Sequence, residues 1–86
     1  MIKVKKKSGK IMEYPVSKVK SVLKTTGYTG KLLVSGTAEI LGEIKKLTKS
    51  GIITATNFEK AVVRGVNNTN KIAMDTTQKA TKRILK

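Results

Sequence analysis

Apolar and polar positions alternate at the start of the chain and recur at helical spacing in the rest of it. Apolar residues are interleaved with lysines on both sides of a Ser8-Gly9 pair, so residues 2–6 and 10–15 predict two strands joined by a tight turn. A two-stranded hairpin alone is only marginally stable in water. We therefore expect the hairpin to pack on helices formed by the residues that follow it.

Two helices are predicted next, from apolar residues spaced three and four positions apart. Ser17 is a candidate N-cap for a helix that runs to about Thr26. Residues 31–49 carry the longest apolar stripe and predict the central helix. The Ser35-Gly36 pair within it can delay the helix start to Ser35, because glycine inside a helix costs about 1 kcal/mol relative to alanine.

Two further helices complete the predicted order of elements. Thr56 and Glu59 have the spacing of a capping box, which places the start of a third helix at Thr56. The polar residues 67–70 predict a connector, and a last helix begins between Lys71 and Asp75. The predicted fold class is α+β, with an N-terminal β-hairpin packed on a bundle of about four helices in a single domain, residues 1–86. The thin apolar face of the last helix consists of Ile72, Ala73, Thr76, Ala80 and Ile84.

Length and composition limit the chemistry of the chain. Its 86 residues suffice for one small core and not for two. Cysteine and histidine are both absent, which excludes disulfides, zinc sites of the usual kind and histidine acid–base chemistry, so we do not expect an enzyme. No apolar run approaches the ~20 residues of a membrane helix, and we expect a cytoplasmic protein without a membrane partner.

The charge of the chain predicts an anionic partner. Nineteen Lys and Arg residues stand against five acids, a formal charge of +14, and seventeen of the nineteen are Lys. Such a charge attracts polyanions, and lysine contacts phosphate without the fixed geometry with which arginine reads bases. One candidate function is therefore binding to nucleic-acid backbones without sequence specificity; a solvated lysine-rich surface is the alternative. The candidate contacts are Lys3, Lys5, Lys7, Lys10, Lys79, Lys82, Arg83 and Lys86.

Three stretches of the chain resemble the motifs of a known small domain. Residues 4–9 are similar to a Val-x-Lys-Arg-Asp-Gly pattern, and residues 14–19 to a pattern that ends in Lys-Ile. Residues 53–62 are similar to Ile-x-Thr-x-x-Ile-x-x-x-Val. In this order the three stretches resemble the ATP-cone, a nucleotide-binding regulatory domain found at the N-terminus of many ribonucleotide reductases.

The resemblance implies a nucleotide site and a regulatory role. Lys6, Lys7 and Lys18 would contact a triphosphate, and Val4 and Val19 would wall an adenine. Core packing is the alternative for the two valines, and an exposed cationic face is the alternative for the lysines. The resemblance implies ATP or dATP as an effector and no resident cofactor. It also implies an output delivered to a partner protein in trans or through homo-oligomer formation.

Five positions depart from the family pattern. Ser8 replaces an aspartate, Lys7 replaces an arginine, and Ala55 stands where a hydroxyl is common. Met12 and Pro15 stand where the family has polar ligands for ribose and base. Polar groups that read a base edge supply most of the discrimination in a pocket, because leaving such a group unpaired on burial is penalised. These departures therefore predict that the chain binds polyphosphate loosely or not at all. A compact lysine pocket would favour a nucleotide, and a continuous stripe from the hairpin to the last helix would favour a polymer.

Overall fold

A computed structural model describes residues 1–69 and 74–85 of the chain. The fold is α+β, and the N-terminal hairpin packs on helices, as the sequence predicts. No helix in the described part of the chain has the length and apolar character needed to cross a bilayer. The elements, in chain order, are β1 (Ile2–Lys5), β2 (Ile11–Tyr14), α1 (Val16–Thr25), α2 (Gly30–Leu47), β3 (Ile52–Thr54), α3 (Ala55–Thr69) and α4 (Met74–Ile84).

The sheet has β1 at its centre, with β2 antiparallel on one side and β3 parallel on the other. Val4 lies opposite Met12 of β2 and Ile53 of β3, and both Val4 and Ile53 are fully buried against the helices. Successive side chains of a strand point to opposite faces, so Lys3 and Lys5 lie on the exposed outer face. The sequence does not predict β3, because three residues after a turn are too few to show a period.

Two helices begin earlier than predicted. α1 begins at Val16 with the extended Pro15 as its N-cap, so the predicted N-cap at Ser17 is wrong. α2 begins at Gly30, so the proposed delay to Ser35 is wrong as well. Gly36 serves packing instead of breaking the helix, because a Cβ at this position would lie 3.1 Å from the Leu23 side chain and 3.4 Å from the Tyr28 ring.

The centre of the core lies where α2 crosses α3. Gly65 of α3 lies directly on α2: a Cβ at Gly65 would come within 2.5 Å of Ile40 Cγ1 and 2.8 Å of the Ile40 backbone. Around this crossing, Tyr28 and Phe58 are the largest fully buried side chains. Burial of side chains of this size contributes strongly to stability. Together with the close contact of Gly65 and Ile40, it fixes the relative position of α2 and α3.

Both ends of α3 differ from the sequence prediction. The backbone N–H of Asn57 donates a hydrogen bond to Oγ1 of Thr54 at 3.2 Å, so Thr54 caps the helix and the predicted cap at Thr56 is wrong. The helix continues through Thr69, so residues 67–69 do not form the predicted connector. Asn70, the last residue of that connector, lies outside the described residues.

α4 turns a slightly different face to the core than the one predicted. Thr77 is buried and Thr76 is exposed, which corrects the assignment of Thr76 to the apolar face. Thr81 is also buried, and its hydroxyl donates to the Thr77 carbonyl at 2.8 Å. Ala80 is buried as predicted. Of the other predicted positions, Lys71, Ile72 and Ala73 lie outside the described residues.

Candidate phosphate-binding pocket

A cavity of about 490 Å³ lies where the hairpin turn, the start of α3 and the end of α4 come together. We call it the basic pocket, because it is lined by three ammonium groups and one carboxylate, a net charge of +2. Its volume is within the range of small-molecule sites, about 300–1,000 Å³. The lining residues are Lys6, Lys7, Ser8, Ala55, Glu59, Lys82 and Leu85.

The hairpin loop holds the first side of the basic pocket in a defined shape. The N–H of Lys6 donates to the Lys10 carbonyl and the N–H of Gly9 donates to the Lys6 carbonyl, both at 2.8 Å. Gly9 has a φ of +92°, a left-handed conformation that a side chain would strain. Three-residue hairpin loops use such a residue before the second strand, so Lys7 and Ser8 project from a rigid turn.

The N-terminus of α3 forms the second side. Ala55 is the first residue of the helix and lines the basic pocket, and Glu59 lines it one turn later. The unpaired N–H groups of a helix start carry a partial positive charge that favours an anion. Glu59 acts in the opposite direction, because its carboxylate repels phosphate and can accept a hydrogen bond from a hydroxyl or amino group.

The end of α4 forms the third side, and a hydrogen bond from β2 holds it there. The Tyr14 hydroxyl donates to the carbonyl of Ile84 at 2.7 Å, across 70 positions of sequence. The Tyr14 ring is in turn held by Phe58, with the two ring centroids 6.4 Å apart. This contact places Lys82 and Leu85 beside the hairpin turn. Lys82 also stabilises the negative end of the α4 dipole.

The structure does not bring Lys18 to the lysines of the hairpin. Lys18 lines a different cavity of about 190 Å³, between α1 and α4, together with Arg83. Lys82 and Arg83 are neighbours on α4, so the two cavities lie on either side of one helical turn. Lys82 thus takes the place beside Lys6 and Lys7 that the resemblance assigned to Lys18.

The two valines proposed to wall an adenine lie in the core. Val4 is 0% exposed and Val19 is 2% exposed, and both belong to the main apolar cluster. Neither side chain reaches the basic pocket, so the packing alternative describes their position. The apolar surface within the basic pocket comes instead from Ala55 and Leu85.

The residues proposed for nucleic-acid contact are divided between several surfaces. Lys3 and Lys5 lie on the outer face of the sheet, where Lys3 is opposite Glu13. Lys7 and Lys82 share the basic pocket, and Arg83 lines the cavity beside Lys18. Lys10, next to the hairpin turn, and Lys79, on α4 before Lys82, are both exposed. Lys86 lies outside the described residues.

Sequence reasoning did not identify Glu59 and Leu85 as pocket residues. The sequence places Glu59 in a capping box, and nothing local indicates that α4 ends against the hairpin. Among residues 1–69 and 74–85, no group of three or more metal-ligating side chains forms a candidate metal site. The basic pocket itself offers ammonium, hydroxyl and carboxylate groups.

No protein-family model matches the chain, and comparison with curated proteins and with solved structures found no match either. The similarity to the ATP-cone remains a prediction that depends on residues 4–9, 14–19 and 53–62.

Proposed function

We propose that the basic pocket binds the phosphates of a nucleotide, and that the protein is a small regulatory module which acts on a partner in trans. The observation that supports this most strongly is the shared cavity: lysines from the hairpin turn and from α4 line one space of nucleotide size. Two of them, Lys6 and Lys7, stand where the ATP-cone pattern has its phosphate ligands. A charged hydrogen bond from lysine to phosphate is stronger than a neutral one.

The position of the groups suggests how a nucleotide would lie. Its phosphates would face Lys7, Ser8 and Lys82, close to the positive end of α3. The sugar and base would extend toward Ala55 and Leu85, with Glu59 as an acceptor for a ribose hydroxyl or a base amino group. With one carboxylate as the acidic group and no histidine or cysteine, binding followed by a change in partner contact is the simplest activity.

The experiment that tests this is a titration with ATP, dATP and pyrophosphate, followed residue by residue in amide NMR spectra. We expect saturable shifts at Lys7, Ser8, Ala55, Glu59 and Lys82, larger for the nucleotides than for pyrophosphate. Equal shifts with pyrophosphate would reduce the site to an anion pocket. Shifts that do not saturate with millimolar nucleotide, or that spread evenly over all lysines, would contradict the proposal.

Matched charge variants sharpen this test. Lys82→Gln and Lys7→Gln should each weaken nucleotide binding at least about tenfold, since a hydrogen bond to a charged group contributes about 1.5–3 kcal/mol. Lys60→Gln is the control, because Lys60 is an exposed residue of α3 outside the pocket and its substitution changes the net charge equally. Glu59→Gln should strengthen phosphate binding. Equal losses in Lys60→Gln and Lys82→Gln would indicate general charge attraction instead of a site.

A second function, binding to nucleic-acid backbones, is favoured by the two cavities that flank the end of α4. Lys7 and Lys82 on one side and Lys18 and Arg83 on the other give cations from three elements on one region of the surface. A polymer that passes over the end of α4 would contact both sides of the helix, whereas a mononucleotide would contact one.

The salt dependence of binding to a short duplex distinguishes this function from nucleotide binding. Four phosphate contacts predict that log K falls with log salt by roughly 3.6, at about 0.9 for each contact. Lys18→Gln and Arg83→Gln should each lower this slope by about 0.9 and leave ATP binding unchanged. If duplex affinity does not respond to salt, or if Arg83→Gln weakens ATP and duplex binding alike, the two-sided surface is not a polymer site.

A further inference from the structure

Another cavity lies away from the basic pocket, between the start of β1, the start of α1 and the second half of α2. It is an open groove of about 720 Å³, and we call it the apolar groove. Ile2, Val16, Leu41 and Ile44 form its walls, and Val16 remains 38% exposed. An open apolar surface of this kind on a small, highly charged protein is a characteristic of protein interaction sites.

Gly42 lies within the apolar groove and has no packing role among the residues that the structure describes. Gly36 and Gly65, the other two glycines in the interior of a helix, each lie against a neighbouring side chain or backbone. At Gly42 an added Cβ would meet no atom of residues 1–69 and 74–85 within 4 Å, apart from the adjacent residues and backbone of its own helix. Glycine destabilises a helix interior relative to alanine, so its presence here is not explained by the fold. Together with Ala38, one turn earlier on the same face, it allows another chain to approach the α2 backbone closely.

Charge determines which partner fits the apolar groove. Lys3 and Lys45 line the groove beside its apolar walls. A second copy of the chain would bring a further +14 to the interface and set lysine against lysine. A partner with carboxylates beside its apolar residues would pair with both lysines, and such complementarity also speeds association.

We infer that the apolar groove is a docking site for an amphipathic helix of an acidic partner protein. The apolar residues of that helix would enter between Val16 and Leu41, and its backbone would pass over Ala38 and Gly42. Its flanking Asp or Glu residues would contact Lys3 and Lys45. Insertion of an amphipathic helix into an apolar groove is a recurrent mode of peptide recognition. The inference does not depend on a ligand in the basic pocket.

The test uses a synthetic helical peptide of about 14 residues, roughly 21 Å long, with Leu at i, i+3, i+4 and i+7 and Glu on the other faces. A second peptide has Lys in place of Glu, and a third has the acidic composition in scrambled order. In amide NMR spectra we expect saturable shifts at Lys3, Ala38, Gly42 and Lys45 with the acidic helix. Its affinity should exceed that of either other peptide at least tenfold. Equal affinity of the scrambled acidic peptide would overturn the inference.

Two variants of α2 test the groove itself. Gly42→Leu fills the groove and should weaken binding of the acidic peptide at least tenfold, while Asn67→Leu adds the same side chain to an exposed position of α3 and should not. Thermal unfolding checks that both variants remain folded. Lys45→Glu provides a second route that leaves the groove open: it should weaken the acidic peptide and strengthen the basic one. Lys60→Glu, which changes the net charge equally, should alter neither affinity. Unchanged binding in Gly42→Leu or Lys45→Glu would overturn the inference.

Other occupants of the groove give different results. Anionic phospholipid vesicles that shift the groove resonances more strongly than the acidic peptide would indicate a membrane surface and overturn the inference. Groove shifts that depend on protein concentration, together with a dimer in sedimentation experiments, would indicate a second copy and overturn it as well.

Discussion

The two ends of β1 open onto cavities of opposite character. At its start, Ile2 and Lys3 line the apolar groove, and just past its end, Lys6 and Lys7 line the basic pocket. Lysine is present at both, so the lysines themselves do not make the difference. The helices do: the groove is completed by apolar residues of α1 and α2, and the pocket by the first turn of α3 and the last turn of α4. The same residue type thus flanks an apolar surface at one end of the strand and lines the basic pocket at the other.

The largest expected effect is on the crossing of α2 and α3, because α2 lines the apolar groove and α3 lines the basic pocket. Gly65→Ala places a Cβ against the Ile40 backbone and should destabilise the protein by about 3 kcal/mol, since overpacking a close contact costs about 1–3 kcal/mol or more. Gly42→Ala is the matched substitution in open space and should stabilise α2 by up to about 1 kcal/mol. Denaturant unfolding measures both. Similar free energies of unfolding for the two variants would contradict the close approach at Gly65.

A smaller and more selective effect is expected from the hydrogen bond that holds the end of α4. Tyr14→Phe removes the donor to the Ile84 carbonyl and should lower the free energy of unfolding by about 1 kcal/mol. Because Lys82 and Leu85 lose their support, nucleotide affinity should fall several-fold, while the acidic peptide should bind the apolar groove as before. Titrations of both ligands against the same variant measure this. A loss of peptide binding equal to the loss of nucleotide binding would show that the two ends are not independent.

Loss of the cap of α3, the helix whose first residue lines the basic pocket, should lower the free energy of unfolding by a similar or smaller amount. Thr54→Ala should cost about 0.5–1 kcal/mol, because the side-chain acceptor of the Asn57 N–H is lost. Thr56→Ala, at the position that the sequence pattern favours as the cap, should change stability by less. Thermal unfolding of the two variants compares the caps directly. If Thr56→Ala proves the more damaging substitution, the helix begins where the capping box predicts.

The smallest effect concerns the core that both cavities share. Burial raises the pKa of the Tyr28 hydroxyl above its usual value of 10.0, since the charged phenolate is poorly solvated inside the protein. The folded-state pKa lies above the unfolded one, so the protein keeps this contribution below pH 10 and loses it as the pH rises further. Tyr28→Phe should therefore show a weaker loss of stability with pH above 10 than the unmodified chain. Parallel pH curves for the two proteins would show that Tyr28 does not contribute.

Much of the fold could be predicted from local sequence patterns, and the errors of that prediction have identifiable physical causes. The hairpin and the four helices follow from alternation around Ser8-Gly9 and from helical spacing. β3 does not, because a strand of three residues is stabilised by pairing with β1 far away in sequence. Thr54 and Thr56 are both candidate caps in the sequence, but β3 ends at Thr54 and α3 begins at Ala55, so Thr54 is the cap and Thr56 lies inside the helix. Sequence alone predicts that Gly36 breaks the helix, but in the structure it lies inside α2 and leaves room for the ring of Tyr28.

The candidate site was less accessible to sequence reasoning. The lysines of the hairpin turn are local to one motif, so Lys6 and Lys7 could be proposed as a pair. The third lysine of the pocket, Lys82, depends on where α4 ends. A hydrogen bond from Tyr14 to Ile84, which is 70 residues away in the sequence, fixes that position. The apolar groove has no sequence signature, because Val16 precedes the predicted first helix and Leu41 belongs to the ordinary apolar stripe of the central helix.

The central place of β1 in the sheet has a consequence for the growing chain during translation. Its partner β2 is synthesised immediately after it, but β3 is synthesised only after α1 and α2. Until then, the backbone N–H and C=O groups on one side of β1 have no partner strand. An open strand side is a template for wrong pairing between nascent chains, and lysines on such a strand discourage it by repulsion. Lys3 and Lys5, which alternate with the apolar residues of β1, are suited to protect the strand in that interval.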